Sequence, residues 1–383
     1  MLEITELNDY EQFIELRKEW NSVLAKSENN DLFLTWEWLS TWWKHFGNER
    51  ELKILLAKDD KKIIAAAPLM CSNYKILGFR LRKLEFLGAE HTDYHNFILT
   101  ERKGKCLKLF LKHLSKIDWD FLEFRDIPET PECDLYLRKI FGKKLLQNER
   151  VSSVCYYIPL CGTNECSQEI DGDMRRNLRR RMRRLKEKYN VTFERQDEVS
   201  SVEQGVKTFV ELHQKKWFSK GQQGSFGEDP KFKDFIIEVS KLLAENKWLN
   251  LSLLKADDTP ISAGLCFEYN NVTYYYHPGY DPAYSKFGVG NLLLMHLIEQ
   301  ASQKGMAKFD FLKGAEPYKS TWTAHFRNNL EFGCTQNHLL PVLYDKIIRS
   351  EEYNWIKNSN SEYLRKLKST VRKVFPSLYA ALS

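Results

Sequence analysis

Apolar residues Tyr10, Phe13, Ile14, Leu16, Trp20, Val23 and Leu24 return at close to every 3.6 positions, which predicts a helix near the start of the chain. A second helix is expected over residues 36–46, with Thr35 as its N-cap. Period-two patterning then takes over. Residues 52–58 read as a strand, Asp59-Asp60 as its turn and residues 63–70 as the return strand. A basic, irregular stretch follows, then a strand-like segment at 96–99, an amphipathic helix over 105–117 and a buried strand at 121–125. The second half runs through the same order. Strands are expected at 249–255, 261–269 and 272–277, joined by turns at 257–260 and Asn270-Asn271. A glycine-containing loop leads into a helix over 291–303, ended by Gly305, and a short strand covers 309–312.

Asp120-Phe121-Leu122-Glu123 follows the crossover helix of the first half, and Asp310-Phe311-Leu312-Lys313 follows that of the second. The shared order of elements argues for two copies of a hairpin–strand–helix–strand unit, hence a mixed α/β (α+β) fold. The copies are expected at residues 1–165 and 201–340, joined by a basic helix and strand over 166–200 and followed by a basic helical extension over 341–383. In the joint, residues 174–188 hold nine Lys or Arg and a single acid, Glu187. Met174, Leu178, Met182 and Leu185 form an apolar stripe, so this helix lies on the protein and turns a cationic face outward. The chain's net charge is +6, so everything outside that helix is slightly acidic.

With 383 residues, 43% of them hydrophobic, the chain has the material for two packed domains, which excludes a disordered or low-complexity protein. The longest apolar runs, such as residues 63–70, fall well short of the roughly 20 needed to span a bilayer. No secretory signal is visible at the N-terminus, and a cytoplasmic location is the expectation. The eight cysteines (71, 106, 133, 155, 161, 166, 266 and 334) show no C-x-x-C pair and no matching histidine spacing, so no metal is expected. Cys161 and Cys166 are close enough in sequence to pair, but a reducing compartment fits the scatter better.

The candidate chemistry gathers in residues 280–319. The loop ending in Lys286-Phe287-Gly288-Val289-Gly290-Asn291 opens an apolar helix. The first N–H groups of a helix lack internal partners and sit at the positive end of its dipole, so a pyrophosphate fits there, with Lys286 as an added cation. The bland alternative is a tight strand-to-helix turn that merely needs its glycines. The next strand delivers Glu316, Tyr318 and Lys319 towards the same place. Glu316 is the candidate proton acceptor from an amine, Tyr318 the donor to a leaving thiolate and Lys319 an anion holder. His277, at a strand end just before the loop, is a second candidate base. His91, Asp93, Tyr94 and His95 form a polar run in the first half that a cleft between the copies would use.

Tyr280-Asp281-Pro282, Gly290-Asn291-Leu292-Leu293, Asp310-Phe311-Leu312, Gly314 and Tyr318-Lys319 together resemble the CelD-like branch of the GNAT acyltransferase superfamily, related to FemAB-type transferases. Trp36-Glu37-Trp38-Leu39, Ala67-Pro68-Leu69, Asp93-Tyr94 and Pro260-Ile261-Ser262-Ala263 extend the resemblance over residues 30–325. It implies two tandem GNAT-like domains and an acyl-CoA, most often acetyl-CoA, as co-substrate. The diphosphate-binding positions it implies are Lys286, Gly288, Val289, Gly290, Asn291 and Lys319. Ser285 stands where most GNAT enzymes carry Arg or Gln, and Gly288-Val289 where CelD-like relatives often have Ser-Pro. The first copy has only Lys103-Gly104-Lys105 in the corresponding place and is expected not to bind coenzyme. Its tryptophans 36, 38, 42 and 43 are expected in the core.

The expected function is therefore N-acyl transfer from acyl-CoA to an amine, by direct attack. Glu316 is the expected base with His277 and Asp310 behind it, Tyr318 the acid, and Asp93, Tyr94 and Tyr280 the acceptor contacts. The family points to an amino sugar or polysaccharide precursor. Two alternatives remain open: an aminoacyl-tRNA-dependent transferase that uses the cationic helix, and a non-catalytic scaffold whose basic C-terminal segment touches a membrane surface.

Overall fold

The computed structural model describes residues 2–76, 79–130, 148–160 and 170–335. Its strands form two sheets. The smaller holds β1 (Leu2–Leu7), β3 (Ile54–Asp59), β4 (Lys62–Ala67) and β7 (Ile98–Leu99) in the order β1-β3-β4-β7. The larger, of eleven strands, comprises β2 (Arg50–Leu52), β5 (Leu69–Ile76), β6 (Phe79–Phe86), β8 (Phe121–Pro128), β9 (Asn148–Pro159), β10 (Val191–Arg195), β11 (Leu249–Ala256), β12 (Thr259–Tyr269), β13 (Val272–Tyr280), β14 (Lys308–Lys313) and β15 (Phe326–Thr335). Its order is β10-β11-β12-β13-β14-β9-β15-β8-β6-β5-β2.

Three hairpins owe their tightness to two-residue turns with both central φ angles positive: Asp60-Lys61, Asp257-Asp258 and Asn270-Asn271. Asn and Asp tolerate that conformation, whose twist matches that of the flanking strands. The same unit occurs twice. The parallel pair β6 and β8 is connected through α4 (Lys103–Leu114), and the parallel pair β13 and β14 through α9 (Val289–Gln303). The β6 strand lies within the stretch expected to be irregular. The strand expected at 96–99 instead joins the small sheet through Ile98 and Leu99. The alternation of apolar and polar positions in 79–86 slips phase at the adjacent charged pair Arg82-Lys83, which hides the strand in the sequence.

The first predicted helix is two, α1 (Tyr10–Glu15) and α2 (Arg17–Leu24), broken at Leu16. Helix α3 (Trp36–Phe46) runs as expected, with the Thr35 hydroxyl accepting the Trp38 N–H. Trp38 and Trp42 are fully buried and Trp36 nearly so, which places them in the core. Trp38 meets Phe235, Phe267 and Tyr276 edge-on at 5.2–5.7 Å. Through those contacts a helix of the first half packs into the second half. The basic helix α5 (Gly172–Lys186) is capped by Asp171 and buries Leu178 and Leu185 against α9 and the turn before it. Helices α6 (Val202–Phe218), α7 (Ser225–Glu228) and α8 (Pro230–Glu245) cover the second half of the sheet. Cys71, Cys106, Cys155, Cys266 and Cys334 are free and buried. Cys133, Cys161, Cys166 and the extension over 341–383 lie outside the described residues.

The two copies interleave. β9, from the first half, lies between β14 and β15 of the second, and β15 lies between β9 and β8. Neither copy completes the middle of the sheet by itself. The halves are therefore expected to unfold together. Trp38→Ala in the first half and Leu297→Ala in the second should each remove about 2–5 kcal/mol and lower one shared thermal transition. Calorimetry checks this, and two separable transitions would contradict it.

Candidate functional site

The parallel register of β13 and β14 covers Val272↔Lys308, Thr273↔Phe309 and Tyr274↔Asp310, and then stops. Beyond it, β13 bulges against β12 as the register shifts between Leu265 and Cys266. On the other side, β14 shifts register against β9, with Leu312 at φ +62°. The strands diverge, and a cavity of about 750 Å³ opens between them. Tyr275, Tyr276, His277, Pro278 and Tyr280 line one wall, Phe311, Leu312 and Lys313 the other. On the β14 side the N–H and C=O groups of Leu312 and Lys313 are taken by Asp310, Asp93 and Lys319, so the edge of β13 beyond Tyr274 is the one that suits an extended ligand bearing amides.

One end of the cavity is the start of α9, where Gly290, Asn291 and Leu294 line it. Gly288 caps that helix at φ +66°, a left-handed conformation that favours glycine. The N–H groups of Val289 and Gly290 lack intrahelical partners by their position in the first turn. The Arg181 guanidinium of α5 stands beside Gly288, where a Cβ would otherwise fall. Arg181 thus supplies a cation at the loop whose own sequence has Ser285. Lys286 is turned away, its ammonium 5.2 Å from the ring of Phe287, and Val289 is buried in the core; neither lines the cavity.

Glu316, Tyr318 and Lys319 line the cavity together, as the sequence pattern predicts. Glu316 is 55% exposed and paired with Lys319 at 2.9 Å. The Lys319 ammonium also donates to the carbonyls of Leu312 (3.2 Å) and Lys313 (2.8 Å), so it staples the turn after β14 rather than standing ready for a ligand. Burial, with Glu316 adding to it, pushes the Tyr318 phenol far up, so the hydroxyl keeps its proton.

Asp310 and Tyr94 do not line the cavity. Asp310 is 1% exposed and accepts from the Tyr94 hydroxyl (2.8 Å) and the Leu312 N–H (2.9 Å). Burial raises its pKa, but Lys308 at 2.9 Å and Arg327 more than offset that and hold the carboxyl ionised. A carboxylate so occupied is a structural anchor, not a base. Arg327 lies over the Tyr94 ring at 4.7 Å, which completes a seam between the halves.

Asp93 does line the cavity, from the loop between β6 and β7. Its Oδ1 accepts the Lys313 N–H at 3.2 Å, and burial carries its pKa to about 6 against the pull of Lys313. Lys313 is itself held by the Thr92 carbonyl (2.9 Å) and Asp126 (3.2 Å). His91 is clamped between Phe46 and Phe232, with ring centroids at 4.5 and 4.6 Å, and accepts the Trp42 indole N–H at 3.1 Å. Burial lowers its pKa to about 4. His95 lies off the cavity, stacked on Phe86. His277 is pushed well below the usual imidazole range by burial first, then by His213, Lys216, His91 and Lys319.

The remaining wall comes from α6–α8, with His213, Lys216, Trp217, Lys220, Ser225 and Phe232, none of which stood out in sequence. The signals were there. Val202, Val206, Phe209, Val210 and His213 recur at helical spacing, and Asp229-Pro230 is a strong helix start ahead of Phe232, Phe235, Ile236 and Val239. Among the described residues, no group of three His, Cys, Asp or Glu is placed to hold a metal ion, and no helix is long and apolar enough to cross a membrane.

Three solved structures share this architecture. FemX aligns over 89% of this chain and 99% of its own, with a TM-score of 0.63 at 13% identity. A conserved protein of unknown function from Bacteroides thetaiotaomicron aligns over 88% and 100%, with a TM-score of 0.55 at 11% identity. The C-terminal domain of a putative lysylphosphatidylglycerol synthetase from Agrobacterium fabrum aligns over 88% and 95%, with a TM-score of 0.52 at 10% identity. At such identities the likeness is one of fold. No curated protein matches the sequence. Residues 172–320, from the basic helix to the turn that carries Glu316, Tyr318 and Lys319, match the model of the acetyltransferase (GNAT) domain, and this stretch is part of the half that opens the cleft.

Proposed function

We propose that the protein is an N-acyltransferase that moves an acyl group, acetyl by preference, from coenzyme A to an amine. The observation that carries this reading is the cleft itself: two parallel strands that separate after Tyr274 and Asp310, beside a helix start flanked by Arg181. The amide-rich arm of acyl-CoA would pair with the edge of β13 beyond Tyr274. Its diphosphate would meet the N–H groups of Val289 and Gly290 and the Arg181 guanidinium. The acyl carbonyl would then lie near the bulge in β13, where a free backbone N–H is the candidate oxyanion donor.

The amine attacks the thioester carbon, a C–N bond forms and the C–S bond breaks. Of the three cavity carboxylates, Glu90, Asp93 and Glu316, Asp93 is the best proton acceptor. It is buried, with a pKa of about 6, close to neutral pH, whereas Glu90 is exposed and paired with Arg50 at 2.9 Å, and Glu316 is exposed and tied to Lys319. His277 is neutral but too weakly basic to compete. Tyr318 keeps its proton and can pass it to the departing thiolate. The acceptor class implied by the CelD-like resemblance, an amino sugar or polysaccharide precursor, fits a cavity that also takes residues from the first half, and the expected setting is cytoplasmic. The tRNA-dependent alternative rests on the exposed arginines of α5, among them Arg176 and Arg183.

Two outcomes are expected. In calorimetry, acetyl-CoA should bind saturably, and Gly290→Trp should weaken it at least tenfold, because a Cβ there already meets the Tyr280 ring at 3.4 Å. Salt-sensitive binding of uncharged tRNA without coenzyme binding would transfer the support to the alternative. In a thiol-release assay with a panel of amines, the rate should rise with pH through about 6, since a base acts deprotonated and Asp93 is protonated below that value. Asp93→Asn should remove this acid limb and lower kcat by about 10²–10⁴. An unchanged profile in the variant would return the role to another group.

A further inference from the structure

The α6 wall of the cavity carries charge that acyl transfer does not use. Lys216 and Lys220 each hold an ammonium 5.2 Å from the ring centroid of Trp217. The indole between them is fixed. Its Nε1–H donates to His213 Nε2 at 2.9 Å, and Gly224, at φ +66°, packs so closely that a Cβ would lie 2.6 Å from Trp217 Cδ1. Among the described residues, neither ammonium has a carboxylate within ion-pair distance. Their neighbours do: Lys215 pairs with Asp281 at 2.7 Å, Lys313 with Asp126 at 3.2 Å and Lys319 with Glu316 at 2.9 Å.

Lys220 stands just past the C-cap of α6, four residues after Lys216, and the two like charges repel. Burial and then Lys220 lower the Lys216 pKa to about 8, with Glu316 opposing weakly, so Lys216 still carries its charge at neutral pH. His213 adds a donor. Its Nε2 accepts from the indole, so the neutral ring carries its proton on Nδ1, which is buried without a partner in a residue only 1% exposed. A pair of uncompensated ammoniums and an unused N–H around a rigid indole make a receptor for a compact dianion.

We infer that Lys216, Lys220, Trp217 and His213 form a phosphate-binding subsite for the acceptor, so that the amine substrate carries a phosphate ester or diphosphate. A phosphate group bears about −1.5 to −2 at pH 7, which matches two ammoniums, whereas a carboxylate neutralises only one. This rests on the transferase reading and deepens it, by giving the acceptor a charged handle on the side of the cavity away from the basic helix and its Arg181.

The test is calorimetric titration of the full chain, first saturated with coenzyme A, with inorganic pyrophosphate. One further saturable site is expected. Lys216→Ala/Lys220→Ala should weaken it at least tenfold while leaving coenzyme affinity unchanged, and Lys216→Arg/Lys220→Arg should restore much of it. Lys215→Ala, on the same helix but paired with Asp281, should change nothing. Near-UV circular dichroism matching the wild type shows that each variant is folded. Failure of the coenzyme-saturated protein to bind pyrophosphate, or equal binding by the double alanine variant, would overturn the inference. So would loss of coenzyme binding in that variant, which would assign the two lysines to the coenzyme. If the wild type binds no coenzyme at all, the transferase reading fails, and the subsite is judged without it. Pyrophosphate binding lost in Lys216→Ala/Lys220→Ala but kept in Arg181→Ala would then support the subsite, and the reverse would overturn it.

Discussion

Asp310 decides where the cleft opens. It is the last residue of β14 in register with β13, and its buried carboxylate accepts the N–H of Leu312, two residues on, together with the Tyr94 hydroxyl. The strand turns away from β13 at this point, with Leu312 in a left-handed conformation. A carboxylate can be buried this deeply only with cations close by, and Lys308 and Arg327 provide them. A single desolvated charge thus converts a continuous parallel ladder into a fork with a cavity between its arms. The same group fastens the first half of the chain to the second through Tyr94.

The loop of the first half reaches the site on a scaffold of tryptophans. Trp38 Nε1–H donates to the Thr92 hydroxyl at 2.9 Å and Trp42 Nε1–H to His91, so helix α3 fixes the two residues that precede Asp93. From the second half, Lys313 holds Asp93 through its backbone and Thr92 through its ammonium. The first copy contributes to the site by completing the cavity of the second. Interleaving of β9 and β15 keeps that contribution in register, because neither copy can move without breaking ladder hydrogen bonds of the other.

Electrostatically the cavity is divided. Lys319 is matched by Glu316 and Lys313 by Asp126, and the imidazoles of His91, His213 and His277 stay neutral because burial and the nearby ammoniums oppose a further positive charge. At the end of α6, Lys216 and Lys220 have no carboxylate within ion-pair distance among the described residues. At the far end, the basic helix, which in sequence is a bare run of charge, lays Arg181 against the loop before α9. Arg176, Arg179, Arg180, Arg183, Arg184 and Lys186 remain in solvent.

Much of this was written in local sequence. Helix α3 with its Thr35 cap, the Asn270-Asn271 turn, the strand–loop–helix of residues 272–303 and the clustering of Glu316, Tyr318 and Lys319 all follow from periodicity and turn chemistry over a few residues. The duplicated unit was legible for the same reason. The roles inside the site were not. Whether Asp310 faces a ligand or a buried tyrosine, whether Lys319 is free or bound to two carbonyls, and whether Asp93 or Glu316 is the buried carboxylate depend on which residues far apart in the chain become neighbours. Sequence sets the chemistry each side chain has to offer. Its pKa, its partners and its access to the cavity follow from burial and from charges brought in by other strands, and only the interleaved tertiary fold fixes those.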